Sequence, residues 1–115
     1  MDDYTLVVTA ACPLVSEVRL YRETLAHVLR EHPEIPVLLP SFAAALEHAI
    51  QNPTHIEQSH SNSYVFVDGH TTNRSGDPLR IPVKIIAGTS ARVKTAYFAA
   101  GGGSPRNIVW RRKDG

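Results

Sequence analysis

At Thr54 the hydrophobic period of the chain changes, and this restricts the fold more than any other feature of the sequence. In the two stretches that precede it, Arg22 to His32 and Phe42 to Asn52, apolar residues recur at helical spacing. After it, they alternate in short runs bounded by turn residues, the pattern of strands. Helices gathered ahead of an antiparallel meander make an α+β layer arrangement, not a wound parallel sheet.

The first helix is expected over roughly Arg22 to His32, within the stretch Val18 to Ile35. Leu25, Val28 and Leu29 fall on one stripe, and His27, Arg30, Glu31 and Glu34 lie on the other side. Thr24 serves as N-cap or sits in the first turn, and Pro33 biases His32 away from helical geometry, ending the helix there. His32 therefore stands at a helix C-terminus, where the dipole favours a protonated imidazole. His27 and His32 are separated by roughly 140° around a regular helix, which argues against a joint metal site on one helix. A histidine on a polar helical face is most often just solvated, and one beside a proline is most often a cap.

Ahead of this helix, Tyr4 to Ala10 reads as a strand ended by Cys12-Pro13, and Glu17 to Tyr21 as a short strand or an extended lead-in. After it, Pro33, Pro36 and Pro40 bracket Val37-Leu38-Leu39, too broken for a long regular element. Ser41 is a good N-cap for a second helix over Phe42 to Asn52, with Phe42, Leu46, Ala49 and Ile50 on one face and His48 off it. Ile56 to His60 and Tyr64 to Val67 then read as strands joined by a tight hairpin around Ser61-Asn62-Ser63. Asp68 to Pro78 reads as a polar loop, Leu79 to Ala87 as a strand, Gly88 to Ala91 as a turn and Arg92 to Ala99 as the returning antiparallel partner. Gly101 to Ser104 is a hinge, and Ile108 to Trp110 adds a last short strand or docks on the core.

Length and composition bound the class. The chain of 115 residues, 43% hydrophobic and 20% charged, suits one globular domain, expected over residues 1–100 with a Gly-rich hinge and basic tail over 101–115. The single cysteine, Cys12, excludes an internal disulfide framework and a Cys-rich zinc site, and makes a reducing cytoplasm the expected compartment. Asp2 and Asp3 stand where a signal peptide carries positive charge, and the apolar run after Tyr4 is too short to span a bilayer, so no membrane is expected. The net charge of +1 hides a cluster of Arg106, Arg111, Arg112 and Lys113 near the end.

No P-loop, HExxH, CxxC or GxSxG pattern occurs. The remaining His, Arg, Lys, Thr and Tyr residues suit metal-free phosphodiester cleavage in RNA, in which the 2′-hydroxyl attacks its own phosphate. That reaction needs a base, an acid and donors for the phosphorane charge. Histidine can supply the first two, with Arg30, Lys84, Thr95 or Tyr97 supplying the rest. As residues two apart, Thr95 and Tyr97 are expected to project from one face of the last strand.

The segments VRLYRETLAHVLREHPEI, NPTHIEQ, SYVFVDG, PVKIIAG and VKTAYF, covering about Glu17 to Ala99, resemble the phage and polymorphic-toxin nucleases of the superfamily linking barnase, EndoU, the colicin ribonucleases and RelE-type toxins. His27, Val28, His32, Pro33 and Glu34 match one motif of that family, and Thr95, Ala96 and Tyr97 match its terminal strand. The resemblance implies two N-terminal helices packed on a curved antiparallel sheet of about four strands, with a metal-independent endoribonuclease site on the sheet face and adjacent helix. It implies no cofactor, RNA as substrate, and an antitoxin or immunity protein as partner. His27 and His32 would transfer protons, Arg30, Thr95 and Tyr97 would position or stabilise the phosphate, and Lys84, Ser90 and Arg92 would contact substrate. Where the family has arginine directly before the second histidine, this chain has Glu31, with Arg30 one residue earlier. Either Arg30 supplies the cation at a shifted angle or this member is weakened or inactive. The alternative is a non-catalytic RNA- or protein-binding module, or a phage accessory protein, on the same scaffold.

Overall fold

A computed structural model describes residues 4–10, 14–100 and 107–112. The expected end of the first strand at Cys12-Pro13, the glycine hinge, and Arg106 and Lys113 of the basic tail lie outside these residues.

Two strands come first: β1 (Tyr4–Thr9) and β2 (Glu17–Tyr21) form an antiparallel pair. The chain passes straight from β2 into α1 (Arg22–Glu31), because Tyr21 is both the last strand residue and an extended N-cap. Thr24 does not cap this helix but is buried in its first turn, beside Val28 one turn on. After His32 a short helix, α2 (Glu34–Leu38), occupies the proline-broken connector. Pro36 is tolerated there because the first-turn N–H groups of a helix have no internal partner. In α3 (Phe42–Gln51), Ser41 Oγ accepts from the Ala44 N–H at 3.3 Å, and Phe42, Leu46, Ala49 and Ile50 are buried, as their spacing requires.

The rest is strand: β3 (His55–His60), β4 (Ser63–Thr72), β5 (Pro78–Ala87), β6 (Ser90–Val93), β7 (Tyr97–Phe98) and β8 (Ile108–Arg111). All eight described strands join one sheet in the order β1-β2-β6-β5-β4-β3-β8, with β7 also paired to β5. The expectation of two N-terminal helices on about four strands is therefore wrong. The protein is α+β but dominated by its sheet, and the helices are inserted after its first hairpin. The first hairpin joins through a parallel β2–β6 pair, in a sheet otherwise antiparallel. Local alternation cannot announce such a pairing, because its two strands are far apart in sequence.

Three local differences have clear causes. Strand β4 runs on to Thr72 because Asp68, fully buried, accepts the His70 N–H at 3.0 Å and the Thr71 hydroxyl at 2.8 Å, which organises a register shift where a loop is expected. The true loop is shorter, and Asn73 Oδ1 holds it by accepting from the Ser75 and Asp77 N–H groups. The expected strand Arg92 to Ala99 is broken over residues 94–96, between β6 and β7.

One sheet face carries the core. Val8, Val18, Leu20, Ala91, Val83, Ile81, Phe66 and Ile56 are buried there with Leu46, Ala49 and Ile50 of α3 and Val28 of α1. The alternate residues of β2, β6 and β5 face the other way, and among them Arg19, Arg92 and Lys84 are register partners across three adjacent strands.

Candidate functional site

Because α1 prolongs β2, the helix stands beside the end of β6 and the residues that follow it. Glu23, Thr24, Ala26, His27 and Arg30 of α1 face Arg92 and Lys94 across a cleft of about 350 Å³. Glu23 and His27 are one turn apart on the same helical face, which is why both reach it. His27 is half-buried, while Glu23, Arg30, Arg92 and Lys94 are exposed. Arg92 and Lys94 also line an adjoining hollow with Lys84 and Ile86. The cleft thus gathers an imidazole, a carboxylate and three cations, with a fourth cation next to it.

Of the residues singled out from sequence, His27, Arg30 and Arg92 line this cleft, and Lys84 lies in the adjoining hollow. His32 does not line it. Its ring centroid lies 6.0 Å from that of Tyr97, and its Nδ1 lies 3.6 Å from Glu34 Oε2. Thr95 falls in the break between β6 and β7, so Thr95 and Tyr97 do not alternate along one continuous strand as expected. The Thr95 hydroxyl is buried without a hydrogen-bond partner. Ser90 Oγ donates to Glu17 Oε1 at 3.0 Å, so its hydroxyl is occupied within the sheet. Glu23 and Lys94 are the residues that sequence reasoning missed. The signal for Glu23 was its helical spacing from His27; nothing local marked Lys94, whose position depends on the β2–β6 pairing.

Beside the cleft, Arg92 lies over the Tyr21 ring at 5.6 Å from its centroid, and Arg19 over the Tyr4 ring at 5.3 Å. The two rings meet edge to face with centroids 6.1 Å apart. Hydrogen bonding to Tyr21 and to Glu17 raises the basicity of the Arg19 guanidinium.

A second polar cluster, away from the cleft, links β3 to β5. Glu57 Oε1 accepts from Arg80 Nη2 at 2.5 Å, and Glu57 Oε2 lies 2.9 Å from His55 Nε2. Burial pushes the Glu57 carboxyl up, but its bonds and attraction to Arg80 and His55 outweigh that and hold it below the usual carboxylate range. The cluster reads as a structural clamp, since Glu57 and Arg80 are both buried. His48, exposed as expected, has Nε2 3.7 Å from the buried Asp68 carboxylate. Among the described residues, no three His, Cys, Asp or Glu side chains gather as a metal site would need.

Comparison with protein-family models, with curated proteins and with solved structures found no match. None of the described helices is long and apolar enough to cross a membrane. The resemblance to the toxin nucleases thus rests on the sequence segments alone.

Proposed function

We propose that the cleft between α1 and β6 binds RNA and cuts it by 2′-hydroxyl transphosphorylation without a metal. The observation that carries this reading is the meeting of Glu23, His27, Arg30, Arg92 and Lys94 on one small cleft. A carboxylate and an imidazole on one wall can divide the two proton transfers between them. Glu23 accepts the proton of the 2′-hydroxyl as its oxygen bonds to phosphorus. His27, protonated, gives a proton to the 5′-oxygen as that P–O bond breaks. The products are a 2′,3′-cyclic phosphate and a 5′-hydroxyl. Arg30, Arg92 and Lys94 offset the negative charge that builds on the phosphorane oxygens. His32, turned toward Tyr97 and Glu34, has no part in this version.

The sequence resemblance supports the same chemistry, and with it a cytoplasmic toxin. An antitoxin or immunity protein would present carboxylates to the same cations. A second reading, a non-catalytic RNA-binding module, draws on the open setting of the cleft, in which most of the charged side chains are exposed.

Purified protein incubated with mixed RNA in excess chelator tests the proposal. Wild type is expected to leave 2′,3′-cyclic phosphate ends, and Glu23→Gln and His27→Ala each to lose on the order of 100-fold or more in rate with folding intact. RNA bound but left uncut by wild type would move the assignment to the binding module.

A further inference from the structure

Beyond the cleft, the sheet carries a strip that shares only Arg92 with the residues of the proposed cleavage. It starts at Arg92, which lines the cleft, continues to the Tyr21 ring beneath that guanidinium, and reaches Arg19 and the Tyr4 ring at the outer edge of the sheet. These residues belong to the face opposite the core, because Arg19 lies between buried Val18 and Leu20, and Arg92 between buried Ala91 and Val93. The pairing of Arg19 with Arg92 and of Arg92 with Lys84 lines up three cations across adjacent strands, spaced by about 4.8 Å per strand. Tyr4 and Tyr21 are half-buried, and each has a guanidinium over its ring where a core tyrosine would have apolar neighbours.

We infer that this strip is a track for single-stranded polynucleotide, which carries several unpaired nucleotides from the α1–β6 cleft across β6 and β2 to β1. The inference rests on the reading of the cleft as a nucleic-acid site and names its substrate as single-stranded. Cations take phosphates, and tyrosine rings with guanidinium groups beside them take the flat faces of unpaired bases. A duplex keeps its bases paired and stacked inside and cannot use the rings. An acidic protein surface would satisfy the cations but gains nothing from the tyrosines. Among the described residues Glu17 is the carboxylate beside the strip; it accepts from Arg19 Nη2 at 3.0 Å and so fixes that guanidinium while offsetting part of its charge.

The test is equilibrium binding of an all-2′-O-methyl RNA octamer, which cannot undergo transphosphorylation, against the same sequence as a duplex, across a series of salt concentrations. Wild type is expected to favour the single strand. Tyr21→Ala and Tyr4→Ala should each weaken it about ten-fold while leaving the salt slope unchanged, and Tyr21→Phe should restore binding. Arg92→Ala should reduce the salt slope by about one. Octamer binding within two-fold of wild type in both alanine variants, with melting temperatures unchanged, overturns the track and leaves the cleft reading standing. Equal affinity for duplex, or displacement by polyglutamate that is insensitive to the tyrosines, overturns it in favour of a general polyanion or acidic-protein surface. Tyrosine-dependent octamer binding by a protein that cuts no RNA supports the track and removes only the cleavage chemistry. A wild type that binds no octamer overturns both.

Discussion

Replacing Arg80 with methionine keeps much of the side chain's length but strands the Glu57 carboxylate. In the native protein Glu57 has a side-chain exposure of 9%, with one oxygen on Arg80 and the other on His55. Removing one partner of a buried ion pair costs about 3–5 kcal/mol, because the remaining charge is buried uncompensated. His55 still reaches Oε2, so the lower end applies, about 3 kcal/mol. At roughly 4 °C per kcal/mol for a domain near this size, the melting temperature at pH 7 should fall by about 12 °C. The double variant Glu57→Gln/Arg80→Met should recover most of that, since no charge is then left in the interior. The acid side provides a further check. The folded pKa of Glu57 is depressed, so its contribution is fully present above the unfolded value of about 4.3 and is lost as pH falls through the lower folded value. The gap between wild type and Arg80→Met should therefore narrow in melts run progressively below pH 4. A single variant melting within about 2 °C of wild type at pH 7, or a double variant no more stable than the single, would refute the clamp.

Two further outcomes test the local structure. Asn62 turns the β3–β4 hairpin at φ 65°, so Asn62→Gly should be neutral or slightly stabilising and Asn62→Val should cost about 1–2 kcal/mol, read from urea midpoints. Ser41→Ala should cost about 1 kcal/mol by removing the acceptor at the start of α3, with Ser41→Asp retaining most of the stability.

Short-range signals carried far. Ser41 and the spacing of Phe42, Leu46 and Ile50 locate α3 almost to the residue, and the alternation of Ile81, Val83 and Ile85 locates β5. The polar side of α1 was also legible, down to His27 and Arg30. What the residues did not announce was long-range pairing. The two opening strands read as separate pieces because nothing in Val18 or Leu20 points to Ala91, and the helices were therefore placed at the front of the fold. The same gap hid the site: Lys94 joins His27 only once β2 and β6 lie side by side. Pairing His27 with His32 followed residue type, whereas the helix turns Glu23, four residues away, to the side where His27 points. The break at residues 94–96 was invisible for a different reason, since Lys94, Thr95 and Ala96 have ordinary strand neighbours and the irregularity arises from how the returning chain meets β5.

The parallel pairing of β2 with β6 also sets when the cleft can exist during synthesis. Its walls come from residues 22–31 and 90–94, and the hydrogen bond that ties Ser90 to Glu17 spans 73 positions of sequence. Such distant closures are slow and come late in folding. While the chain is still leaving a ribosome, α1 and the first hairpin have no β6 to meet, and neither wall can act. Only when the strand after Gly88 has emerged can His27 face Arg92 and Lys94, so until then a nascent chain holds one wall of the cleft without the other.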